Sequence, residues 1–169
     1  IGCAGGVDVN ISGQYEEVDV KPGSVAFSLA VKGLTGGHSG MDIHRGRGNA
    51  NRMLNRLLLD ATLAHGIGVA AIDSGGLRNA IPREGFAIIT VDETDEAALK
   101  IFLEEQAAVL KAEYNTTDPN LEVLLEPVDL PGKVLSESFQ GQLLRAVRAC
   151  PHGIYRMNPD IADLVQTSN

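Results

Sequence analysis

Residues 33–49 read GLTGGHSGMDIHRGRGN, which sets two histidines and a serine among six glycines. His38 stands between Gly37 and Ser39, with no apolar neighbour to bury it. An imidazole placed this way can donate a hydrogen bond to an oxyanion that develops during acyl transfer. The plainer alternative is a solvated loop histidine. Ser39 raises the question of a nucleophile, but the nucleophile elbow needs G-x-S-x-G. Gly37-His38-Ser39-Gly40-Met41 lacks the last glycine. A phosphate cradle is the stronger rival, because a strand, a glycine run and a helix follow one another. Yet Asn51 stands where G-x-G-x-x-G would place its third glycine after Gly46 and Gly48, and no G-K-[ST] occurs.

A second polar candidate lies in SGGLRNAIPRE, residues 74–84. Asn79 can support a turn through its side chain or offer its carboxamide to a ligand. The remaining histidines suggest less. His44 precedes Arg45 near a helix start and suits a surface or capping role. His65 falls at a helix C-terminus, where the dipole favours a positive charge. A helical zinc pair needs histidines at i and i+4, and no helix here offers them. No two-metal carboxylate set can be assembled either, so a metal used with this chain would be held elsewhere.

The elements that carry these residues follow from periodicity. Val25, Phe27, Leu29 and Val31 alternate with smaller or polar residues, as in a half-buried strand. Ala50, Met53, Leu54, Leu57, Leu58 and Ala61 recur at helical spacing, and Gly66 suits a left-handed cap. Strands are expected at 67–73 and 85–92. A second helix is expected to be capped by Thr94 and to end near Tyr114, before a fourth strand in LEVLLEPV. The order β-α-β-β-α-β over residues 24–128 predicts an α+β, ferredoxin-like unit with two helices on one face of an antiparallel sheet. DLPGK (129–133) reads as a linker. A helix from Leu135 to Ala149 and short strands at 153–157 and 163–167 are expected beyond it.

This topology makes strands 25–32 and 67–73 parallel, with the third strand between them. Their C-terminal ends then share one edge of the sheet. His38 and Asn79, which leave those ends, are predicted to share a rim at a separation of roughly 10 Å. The connection from 33 to 46 is long for a strand-to-helix loop, and its glycines carry an entropic cost that points to a use.

Bulk properties narrow the function. With 14 basic and 22 acidic residues the net charge is −8, which opposes binding to duplex nucleic acid or to an anionic membrane surface. No stretch approaches the ~18 consecutive apolar residues of a spanning helix. Cys3 and Cys150 are the only cysteines, too few for a disulfide framework, and a reducing cytoplasm is the simplest setting. The chain opens on Ile1 inside IGCAGGVDV, which is expected to be a strand, and stops at LVQTSN, which reads as a piece of a longer protein.

Three segments together resemble a known family. VKGLTGGHSGMDIHRGRGNANRMLNRLL, GGLRNAIPREGFAIITV and CPHGIYRMNPDIADLVQTSN are similar to the aminoacyl-histidine (Xaa-His) dipeptidases of the di-zinc aminoacylase and carboxypeptidase superfamily. The resemblance implies a lid or dimerisation domain inserted into a catalytic domain that binds two zinc ions outside residues 1–169. It implies that residues 1–23 lead in from the catalytic domain and that 129–169 begin the second half of the lid. By the same resemblance, His38 stabilises the tetrahedral intermediate and Asn79 binds a peptide substrate. The protein would form a homodimer, and the isolated fragment would be inactive. The competing expectations are a stand-alone ferredoxin-like module that oligomerises or binds a small anion, and the lid of a related tripeptidase or deacylase.

Overall fold

A computed structural model of the chain describes residues 5–169. Thirteen regular elements follow in order. They are β1 (Glu17–Asp19), β2 (Ser24–Lys32), β3 (Gly37–His38), α1 (Ala50–His65), β4 (Gly68–Ser74), β5 (Ala80–Ile81) and β6 (Gly85–Asp92). Then come α2 (Glu96–Tyr114), β7 (Glu122–Val128), β8 (Lys133–Leu135), α3 (Glu137–Ala149), β9 (Ile154–Met157) and β10 (Val165–Ser168).

The main sheet has four strands in the order β4-β6-β2-β7, and every neighbouring pair is antiparallel. β2 and β4 therefore run parallel on either side of β6, and the architecture is α+β with the ferredoxin-like strand order. Alternation on β2 sends Phe27, Leu29 and Val31 into the core, where Ala87, Ile89 and Val91 of β6 meet them. The helices cover that face. α1 buries all six apolar positions that its spacing marks out, and α2 adds Leu99, Leu103 and Leu110. Each fully buried leucine stabilises the fold by about 1.5–3 kcal/mol relative to an exposed one.

Local chemistry sets the ends of α1. Asn49 accepts the Arg52 amide at 3.3 Å, and Gly66 (φ 59°) donates to the Thr62 carbonyl at 3.1 Å. The start of α2 differs from expectation. Asp92 caps a single 3-10 turn, Glu93–Asp95, by accepting the Thr94 amide at 2.9 Å, and α2 follows from Asp95 without a side-chain cap. The Thr94 hydroxyl also turns back to donate to Asp92, so it is not available to cap α2.

The segments outside residues 24–128 pack partly on this unit. β8 pairs with β1, so Leu135 is a strand residue, and Ser136 caps α3 instead. α3 lies against α1 and carries Leu144 into the common core, while Gln140 holds the Val69 amide at 2.8 Å. β9 and β10 form an antiparallel hairpin with irregular register. The strand expected in IGCAGGVDV falls partly outside the described residues, as does Cys3. Residues 5–16 form no regular element, and Val7, Val9 and Ile11 are largely exposed to solvent. A strand needs a partner ladder, and among the described residues none runs beside this segment.

Candidate functional site

The glycine-rich loop leaves β2 and is pressed against the turn that follows α2. Gly33 (φ 78°) must be glycine, because a Cβ there would enter the Asn120 carbonyl. Two residues on, the Thr35 amide donates to Asp118 at 2.8 Å, and the Thr35 hydroxyl reaches the Thr117 carbonyl at 2.7 Å. At the far end the Gly48 amide donates to the other oxygen of Asp118 at 2.7 Å.

Within those anchors His38 is held by its own neighbours. Its amide donates to Asp42 Oδ2 at 2.9 Å, and the Asp42 amide returns a bond to the His38 carbonyl at 2.9 Å. The His38 amide holds the Asp42 carboxyl below its usual value of 3.8, with help from the Arg45 and Arg47 guanidiniums. Arg47 also spans the loop to the Gly36 carbonyl. The imidazole is fixed as well. Its Nδ1 accepts the Gly40 amide at 3.0 Å and the Met41 amide at 3.2 Å. A nitrogen that accepts carries no proton, so the ring proton resides on Nε2. That donor has no partner among the described residues, and the side chain is exposed.

His38 and Asn79 lie closer than two strands apart. The loops themselves zip into a two-residue ladder, with Gly37 opposite Ile81 and His38 opposite Ala80. The Ser39 amide donates to the Asn79 carbonyl at 2.9 Å. The Asn79 side chain is exposed and makes no hydrogen bond among the described residues. An open cleft of about 400 Å³ adjoins this rim, bounded by Ser39, Asn49, Arg78, Ala80 and His152.

Much of the main-chain donor capacity of the loop is spent internally. The amides of Thr35, His38, Ser39, Gly40, Met41, Asp42 and Gly48 all point at partners within the chain. An anion-binding nest needs several such groups free, which disfavours the small-anion module. The Ser39 hydroxyl bonds no histidine, as a serine nucleophile would require.

The other histidines are structural or peripheral. His44 sits exposed in a 3-10 turn, Ile43–Arg45. His65 pairs with Asp95 at 2.7 Å and tilts against Phe102. Sequence reasoning passed over His152, which meets the Asn49 side chain at 3.2 Å beside the rim cleft. Partial desolvation, with the Arg52 guanidinium, pushes its imidazole below the ordinary value of 6.5. It also missed Asp42 and Asp118. An acid four residues after His38 was a usable signal, whereas nothing in NTTDPN marks Asp118 as a partner of residue 35. Among the described residues no three His, Cys, Asp or Glu side chains converge as a metal site would require. The donor set of the described residues therefore does not fit a zinc pair.

The profile of the peptidase dimerisation domain family matches residues 29–118, more than half of the chain. The chain belongs to the peptidase dimerisation domain family. It is 37% identical over 169 residues to the cytosol non-specific dipeptidase of Escherichia coli strain K12, covering 99% of this chain and 35% of that protein. The aminoacylhistidine dipeptidase of Vibrio alginolyticus superposes with a TM-score of 0.88 at 32% identity, over 91% of this chain and 31% of that one. A hydantoinase/carbamoylase-family amidase from Burkholderia multivorans, at 19% identity and a TM-score of 0.50, covers 73% of this chain and 31% of its own and shares the fold. The dimerisation domain described here spans about a third of the length of these proteins. No helix among the described residues is long and apolar enough to cross a membrane.

Proposed function

We propose that this chain is the lid and dimerisation segment of a cytoplasmic, homodimeric, metal-dependent dipeptidase that hydrolyses Xaa-His dipeptides. In this reading residues 24–128 form the first lid unit, 1–23 lead in from a catalytic domain, and 129–169 begin the second half of the lid. The two zinc ions of such an enzyme would be held by residues outside this chain.

His38 contributes one hydrogen bond. As the scissile carbonyl becomes tetrahedral, its oxygen gains negative charge, and a fixed Nε2–H donor binds that state more strongly than the ground state. Asn79 offers its carboxamide NH2 to a carbonyl or carboxylate of the bound peptide. The observation that carries this reading is the orientation of His38. Two backbone amides occupy Nδ1 and leave a protonated Nε2 exposed on the rim that also bears Asn79.

The test is His38→Ala in the full-length enzyme, assayed on an Xaa-His dipeptide after its fold is checked by circular dichroism. A fall in kcat of about 10²–10³-fold with little change in KM is expected for a lost oxyanion donor. An unchanged kcat removes His38 from the chemistry.

A further inference from the structure

We propose that Asp118 is a positioning residue for His38, an inference that rests on the role proposed above for that histidine. Asp118 is 1% exposed, and its carboxylate is filled by donors. Oδ1 takes the Thr35 amide at 2.8 Å, while Oδ2 takes the Gly48 amide at 2.7 Å and the Thr117 hydroxyl at 2.8 Å. Thr35 and Gly48 flank the histidine loop, and they lie 83 and 70 residues from Asp118 in sequence. One side chain thus closes the loop at both ends.

The support behind Asp118 is itself rigid. Its amide donates to the Tyr114 carbonyl at 2.8 Å, and its carbonyl accepts the Leu121 amide at 3.0 Å. The carboxylate is therefore fixed to the C-terminal turn of α2, and the loop hangs from that helix. A free loop of this length would sample many conformations, and a donor misplaced by about 1 Å can lower a rate by about 100-fold.

Asn79 shares the short ladder with the His38 loop but has a second anchor of its own. Its turn is tied to α1, where the Ala50 amide donates to the Pro82 carbonyl at 3.0 Å and the Ser74 hydroxyl donates to Asn51. Weakening Asp118 should therefore displace His38 more than Asn79. That separates the chemical step from substrate binding.

The experiment is a double-mutant cycle in the full-length enzyme with His38→Ala and Asp118→Asn, following kcat and KM on an Xaa-His dipeptide. The carboxamide keeps the shape of Asp118 but turns an NH2 group toward one of the two amides it must accept. Asp118→Asn is expected to lower kcat about tenfold or more, with KM within about twofold. In the His38→Ala background it should lower kcat no further, because the group it positions is gone. Equal losses in both backgrounds would show that Asp118 acts on overall structure alone and would overturn the inference, as would an unchanged kcat in folded Asp118→Asn. If Asp118→Asn does not fold, Thr117→Val replaces it in the same cycle, removing the hydroxyl that donates to Asp118 Oδ2. A smaller loss that vanishes without His38 supports the inference, and a loss that persists, or no loss, overturns it. A His38→Ala enzyme with undiminished kcat defeats the underlying role of His38 first, an outcome distinct from failure of the clamp alone.

Discussion

The main-chain amide of Ser39 donates to the carbonyl of Asn79 at 2.9 Å, although the two residues leave different strands of the main sheet. His38 faces Ala80 in the same short ladder, so the imidazole and the carboxamide are carried on one hydrogen-bonded piece of backbone. Ser39→Pro deletes that donor and should lower kcat of the full-length enzyme while Ser39→Ala leaves it near wild type. Steady-state kinetics on the two variants checks this. A dead Ser39→Ala enzyme would instead make the hydroxyl a participant.

The core of the ferredoxin-like unit makes a sharper claim about stability. Leu57 is 0% exposed between α1 and the sheet, whereas Leu63 on the same helix is 67% exposed. Leu57→Ala should destabilise this unit by about 2–5 kcal/mol, through lost transfer energy and the cavity left behind. Leu63→Ala should stay within about 0.5 kcal/mol of the parent. Urea unfolding followed by hydrogen exchange at core amides distinguishes the two.

Acid should loosen the loop through Asp42. Its folded pKa lies below the ordinary 3.8, chiefly because the His38 amide donates to the ionised carboxylate. A depressed carboxylate stabilises the fold above its unfolded pKa, and that contribution is lost as pH falls through the folded value. Protection of the His38 amide, corrected for intrinsic exchange, should be constant near neutrality and drop on acidification below 3.8. Asp42→Asn should show weaker protection at neutral pH and no such drop.

The fold was legible where periodicity was strong. The six apolar positions of α1 and the alternation on β2 led to the correct elements, and those elements led to the β4-β6-β2-β7 order. The shared rim followed from topology, but its closeness did not. Gly37–His38 and Ala80–Ile81 are too short to show any period, and they become strands only by meeting each other. The Asp118 clamp was hidden for a related reason. A buried carboxylate that satisfies two amides distant in sequence leaves no local pattern, and NTTDPN reads simply as a helix breaker. Thr94 does not cap α2 because a 3-10 turn capped by Asp92, which also ends a strand, comes before the helix, and strand alternation masked that second job.

The two residues on the rim are not equally replaceable. Among the described residues the carboxamide at 79 supports nothing in the scaffold, since only its main chain is bonded. The ring at 38 is a prop in its own loop, because removing it strands the amides of Gly40 and Met41. A substitution at position 79 therefore leaves the turn's own bonds in place, whereas one at position 38 requires the surrounding turn to be rebuilt.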